Sequence, residues 1–255
     1  MEMKLDNPFQ RFGLAHLSPS TCNMFVKAPA SFVLTKVFGH SGQVGAAAFR
    51  GTAVESGIAH GLLNDGTTQE CIDVARREFA KLSAFSTDPK KESEAANIAD
   101  MVKVGLEELR PYGRPSATQG AVRVEVEGLS VPIIGYYDFL WETHGILIDL
   151  KTSTRLTSKV EASHARQVSL YHHALKGSAD DVRVCYVTPK KCATYRVDNI
   201  VDHFNALVRI SLSMQTFLSK AQTKEELASM IVPDVDSFYY NDPIQRQRAF
   251  EIWGV

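Results

Sequence analysis

The spacing of apolar positions changes several times along this chain, and each change predicts an element. Val54, Ile58 and Leu62 recur at helical spacing within an alanine- and glycine-rich stretch, which predicts a helix over 45–63. Gly51, Gly57 and Gly61 weaken that helix and let it approach a neighbouring sheet closely. Amphipathic helices are predicted over 68–82 and 90–110, joined by a polar turn, with Ile98, Val102, Leu106 and Leu109 as the buried stripe of the second. The period then falls to two. Val122, Val124 and Val126 alternate with Arg123, Glu125 and Glu127 as in a half-buried strand, and 129–139 returns as its antiparallel partner.

The flanks are helical. Ser18 before Pro19 marks a helix start, with Pro19 at the first helical position; the helix is interrupted at Ala28-Pro29, and a second segment, 31–38, stops at Gly39. Residues 1–16 read as an irregular lead-in. Downstream, a helix over 161–175 puts His164, Gln167 and Tyr171 on one stripe. Strands over 180–188 and 193–197 follow, with Pro189-Lys190-Lys191 at their tip as a solvated turn or a phosphate contact. The chain is helical again from 198 to about 220, and Thr223 to Glu226 form a capping box. The end, 233–255, carries Phe238, Tyr239, Tyr240 and Trp253, either as a wrap over the core or as a subunit contact.

Chemistry concentrates in 135–171. Gly135-Tyr136-Tyr137-Asp138-Phe139-Leu140 and Ile146-Leu147-Ile148-Asp149-Leu150-Lys151 have strand composition, and 141–145 reads as a tight hairpin turn. A turn symmetric about Thr143-His144 sets Asp138 opposite Asp149. Tyr137, Phe139, Ile148 and Leu150 then form a core face, and Asp138, Asp149 and Lys151 point off a polar face where they fill no core volume. Two like charges facing each other cost roughly 0.2–1 kcal/mol. A divalent cation between them reverses the sign, because Mg²⁺ takes one or two carboxylates together with water and phosphate oxygens.

Composition adds bounds. At 255 residues, 44% apolar and 22% charged, the chain reads as one soluble domain with a helical annex. No apolar run approaches membrane-spanning length and no signal-peptide pattern is present, so a cytoplasmic protein without a membrane partner is expected. A net charge of −1 provides no global basic field, so a nucleic-acid reading rests on the site.

The series Gly135-x-x-Asp138, Asp149-x-Lys151 and Gln167-x-x-x-Tyr171 resembles the PD-(D/E)XK nuclease superfamily, and within it the RecB-like branch, over about 17–197. The resemblance implies a single nuclease domain, 1–255. Its restriction-endonuclease-like α/β core has a mixed central sheet flanked by helices, with helical N- and C-terminal extensions, the latter about 198–255. It implies Asp138, Asp149 and Lys151 as catalytic residues, and Glu55, Asp138, Asp149 and the Leu150 carbonyl as ligands of Mg²⁺ or Mn²⁺. Glu55 closes Arg50-Gly51-x-x-x-Glu55, where RecB-like nucleases have R-G-x-x-x-H. Many superfamily members carry an acid there, and the alternative is a solvated helix residue. His60 lies about 140° further round the helix and is a poor substitute.

Ser153, Arg155, Gln167 and Tyr171 are candidate DNA contacts. Gln167 and Tyr171 could equally order the hairpin, and an ordinary loop explains Ser153 and Arg155. An iron–sulfur cluster, present in many RecB-like nucleases, is not expected: alanine stands at position 28, and no cysteine follows Cys192. The function implied is DNA phosphodiester hydrolysis from ends, in recombination or repair in a bacterial or phage-infected cell. The implied partners are DNA, a strand-annealing recombinase and further copies of the chain. The alternatives are a CRISPR-associated or structure-specific endonuclease, and a catalytically silent DNA-binding module. No G-x-x-x-x-G-K-[ST] motor loop is present in these residues.

Overall fold

Local chemistry sets the helix ends. A computed structural model of the protein describes residues 7–240 and 242–255; residues 1–6 of the predicted lead-in and the side chain of Phe238 lie outside the described residues. A short helix, α1 (Pro8–Arg11), precedes α2 (Pro19–Lys27), whose N-cap Ser18 accepts the Thr21 amide as predicted. A new helix, α3 (Pro29–Phe32), starts at the second proline and passes into a π-helical turn, Val33–Val37, ahead of Gly39. Next come α4 (Ala46–Asn64) and α5 (Thr68–Leu82). The helix predicted over 90–110 is two, α6 (Lys91–Ala96) and α7 (Ile98–Leu109). The break has a cause at Asn97. Its side-chain amide donates to the Ser93 carbonyl (3.0 Å), the group its own backbone N–H would take in a continuous helix.

The sheet has five strands in the order β1 (Ala117–Val124), β2 (Ile133–Trp141), β3 (Ile146–Thr152), β4 (Asp181–Val187) and β5 (Cys192–Arg196). Phe139 pairs with Ile148, Leu140 with Leu147 and Trp141 with Ile146, which is the predicted hairpin register. Trp141 belongs to the strand and not to the turn: its indole N–H donates to the Gly113 carbonyl (2.9 Å). The turn itself is a 3₁₀ segment, Glu142–His144, closed by Gly145 at φ +62°. Val126 falls outside β1, and β2 begins only at Ile133. Between them, the Gln215 side chain serves the Ser130 N–H (2.7 Å) and the Gly128 carbonyl (2.8 Å), so this backbone needs no strand partner.

Strand β4 runs parallel to β3 and antiparallel to β5. A parallel neighbour requires a long crossover, supplied by α8 (Ala162–Ala174). Parallel strands are normally covered on both faces. On one face the predicted core residues Phe139, Ile148 and Leu150 join Cys185 and Val187 beneath the buried stripes of α4, α5 and α7. The opposite face, which carries Asp138, Asp149 and Lys151, is covered too: Leu140, Leu147 and Asp149 are buried on it. The remaining helices are α9 (Ile200–Ser219), α10 (Lys224–Ser229), which has the predicted capping box, and α11 (Pro243–Trp253).

Contacts divide the chain into two compact units. One runs up to Gln43 and includes Val122–Gly135 and Val201–Val255. In it Phe25 meets Phe32 edge-on at 5.5 Å, Leu34 packs with Tyr240 and Ala249, and the Trp253 indole donates to the Ala228 carbonyl (3.0 Å). The aromatic end therefore folds onto helices of its own unit. The other unit, Val44–Ala121 with Tyr136–Ile200, contains every candidate site residue. Among the described residues no helix is long and apolar enough to cross a membrane.

The close approach of α4 is made to helices as well as to the sheet. A Cβ on Gly57 would stand 2.6 Å from the Cys71 carbonyl and 2.9 Å from Ala75 Cβ, both on α5. Gly57→Ala gains about 1 kcal/mol of helix propensity and incurs an overpacking cost of about 1–3 kcal/mol. A lower denaturation midpoint is expected in urea titration.

Candidate active site

Strand β3 carries Asp149 into the interior at 0% exposure. This corrects the expectation of a side chain that points off a polar face and fills no core volume, and the cause is the covering of the parallel strand pair. Such a charge must be met locally. Lys151 Nζ lies 2.7 Å from Asp149 Oδ2 and is itself only 24% exposed. On the other oxygen, Gln167 Nε2 of α8 donates to Oδ1 (3.3 Å). Asp138 sits half-buried at the point where the β2–β3 ladder ends, and its Oδ2 accepts the Leu150 N–H (2.6 Å). The amide inside the Asp149-Leu150-Lys151 triplet thus donates to a carboxylate.

Helix α4 reaches the same place through its first turns. Gly51 lets it cross the end of β3, where an added Cβ would lie 3.3 Å from Thr152 Oγ1. Arg50 is buried there; it pairs with Glu94 of α6 and reaches the Thr152 carbonyl and hydroxyl (both 3.3 Å). One turn beyond Gly51, Glu55 faces the charges of Asp149 and Lys151 and is held by Gln119 Nε2 on β1 (3.0 Å). Gln119 adopts φ +52° within its strand, a costly conformation for a residue other than glycine. Arg50, Glu94 and Gln119 are not among the candidate ligands or catalytic residues expected from the sequence. Arg50-Gly51 was a visible signal for the first, whereas nothing local marks a partner 64 positions from Glu55.

The predicted stripe on α8 forms, and it points inward. Gln167 also donates to the Tyr171 hydroxyl (2.7 Å), and Tyr171 is 1% exposed. Burial removes Tyr171 from direct reach of a nucleic-acid backbone, so of the two roles open to this pair the geometry supports ordering of Asp149. His164 meets the Tyr186 hydroxyl (2.8 Å). At the end of β3, Ser153 Oγ accepts the Arg155 amide (3.2 Å) and the Arg155 side chain is exposed. His60 contacts Asn64 (3.3 Å) on its own helix, and Lys190 and Lys191 are exposed at the β4–β5 tip.

A sequence model described as the PD-(D/E)XK nuclease superfamily matches residues 16–246. The chain belongs to that superfamily. No curated protein matches it significantly. Among solved structures, the protein named SSO0001, known from a crystal structure, is similar at 17% identity and a TM-score of 0.38, over 74% of this chain and 95% of that one. That likeness is too distant to bear on chemistry.

Nucleases of this superfamily generally use divalent metal ions, and the electrostatics of the residues here can be tested for fit. Burial, then the charge of Asp149 and then that of Glu55, hold the Asp138 carboxyl well above its ordinary value. Burial pushes Glu55 upward against its bond from Gln119, and Asp149 adds to the rise. Burial acts to lower the Lys151 ammonium, yet Asp149, Asp138 and Glu55 outweigh it and its pKa is raised. Lys151 therefore holds its proton, which suits it to stabilising negative charge and not to acting as a base. Among the described residues no three His, Cys, Asp or Glu side chains are gathered into a ready-made metal cage. Asp138 and Asp149, neighbouring carboxylates that share the single ammonium of Lys151 with Glu55, nevertheless fit a hard cation that keeps several waters.

The raised Asp138 pKa has a definite sign for stability. A carboxyl raised in the fold favours folding while protonated, and the advantage is lost as pH rises through its folded value. Asp138→Asn keeps an acceptor for Leu150 and removes the charge. In chelator, this variant should melt above the parent at neutral pH, by about 1 kcal/mol in stability, and the gap should close as pH falls to the ordinary aspartate range. Thermal melts across pH check both parts.

Proposed function

We propose that this chain is a Mg²⁺- or Mn²⁺-dependent deoxyribonuclease of the RecB-like branch that works as an exonuclease from DNA ends. The observation that carries the reading is Asp149, fully buried, with one oxygen against Lys151 and the other on Gln167. Structural needs alone would favour an apolar residue at that position. The branch assignment draws support from Gln167 and Tyr171, which stand as one hydrogen-bonded unit behind Asp149.

Asp138, Asp149 and the Leu150 carbonyl would hold the ion, with Glu55 as a further ligand. Bound there, a divalent cation supplies Lewis-acid polarisation of the phosphodiester and a lowered pKa for water. Lys151, kept protonated by its carboxylate neighbours, stabilises the extra negative charge of the pentacovalent phosphate. Gln167 fixes the orientation of Asp149, and Tyr171 fixes Gln167. Arg155 and Ser153, at the solvent end of β3, contact the DNA backbone. The net charge of −1 supports capture of an end by local contacts over tight binding along internal duplex.

Digestion of end-labelled linear DNA and of covalently closed circles tests this. Linear DNA should shorten progressively with Mg²⁺ or Mn²⁺, stop in EDTA, and leave closed circles intact. Asp149→Asn and Lys151→Ala should each slow cleavage about 100-fold or more. A parental rate in Asp149→Asn would reject the site, and prompt nicking of supercoiled plasmid would make the enzyme an endonuclease. The purified chain should also be colourless; stoichiometric iron and sulfide would overturn the metal assignment.

A further inference from the structure

Most of β2 is inside the protein. Tyr137, Phe139, Leu140 and Trp141 are buried, while Tyr136 is 63% exposed. The ring is large and apolar, and folding gains nothing from leaving it in water. Its backbone is fixed. The Tyr136 amide donates to the Tyr171 hydroxyl, which takes a second hydrogen bond from Gln167, and Gln167 reaches Asp149. The strand is not free to roll and bury the ring, because Tyr137 is packed so closely on Gly120 that a Cβ there would fall 2.1 Å from the Tyr137 ring. Tyr136 is thus an exposed aromatic on a rigid mount, tied through Tyr171 and Gln167 to the most buried carboxylate of the site. Two positions along a strand span about 7 Å and share one face, so Tyr136 is mounted within one extended nucleotide of Asp138 along the strand.

We propose that Tyr136 is a stacking platform for a nucleobase, and that the chain accordingly takes a single-stranded or unpaired terminal nucleotide at its site. The inference rests on the nuclease reading above and adds the substrate class to it. Without a cation, Asp138, Asp149 and Glu55 offer phosphate no attraction, so an uncharged attraction beside them has a purpose. Aromatic stacking supplies one to every base, whatever its sequence. Bases inside a duplex are already stacked on their neighbours and are not available to such a ring; an unpaired base is.

The test is binding of the full chain in EDTA, where hydrolysis is arrested, by fluorescence anisotropy. The probes are a fluorescein-labelled oligothymidylate and an abasic oligonucleotide of equal length and charge. The parent should favour the oligothymidylate by about 5- to 100-fold. Tyr136→Ala should lose most of that preference while its affinity for the abasic strand stays unchanged, and Tyr136→Trp should keep or increase it. The exposed position lets both variants fold, which their melting temperatures verify. An unchanged preference in Tyr136→Ala overturns the platform. If the parent nonetheless cleaves DNA with Mg²⁺ or Mn²⁺, the nuclease reading survives that result. A parent that binds neither strand and cleaves nothing overturns both.

Discussion

A carboxylate without water is the constraint on which the site-bearing unit depends. Removing an ionised side chain from solvent costs several kcal/mol even after relaxation. Asp149 meets that cost with an ammonium two residues along its own strand and an amide from α8. Each partner has structural requirements. Gln167 can arrive only because β4 lies parallel to β3 and the crossover helix lies between them in sequence. Lys151 is positioned by the strand, and Arg50 secures the strand end through Thr152. The compensation is incomplete in charge: Asp138, Asp149 and Glu55 share one ammonium. An arrangement selected for stability would remove a carboxylate or add a cation, whereas one that receives a cation keeps the deficit.

Much of this was legible in the sequence. The hairpin register followed from a polar interruption between two apolar runs, and Phe139, Ile148 and Leu150 occupy the core face expected of them. Ser18, Thr223 and the prolines mark helix ends because capping is local chemistry. The burial of Asp149 was not legible. Alternation along β2 and β3 says which residues share a face, but it does not say that both faces will be covered. Asn97 breaks a helix through its own side chain, a choice between two nearby partners for the Ser93 carbonyl that periodicity does not register. Arg50 with Glu94, and Glu55 with Gln119, are pairings between elements distant in sequence, and composition gives no sign of them.

The spacing along α4 has a consequence for what this site can tolerate. Arg50 and Gly51 fix where the helix crosses β3, Gly57 fixes its depth against α5, and Glu55 lies between these two anchors. An α-helix turns about 100° per residue, so the segment from Gly51 to Glu55 works as a ruler whose length and angle cannot be adjusted separately. One residue inserted into it would carry the carboxylate about a quarter-turn off the site, with every chemical group still present and the hydrophobic content unchanged. Homologous chains should therefore exchange residues here far more readily than they gain or lose one: the helix stores geometry as a count.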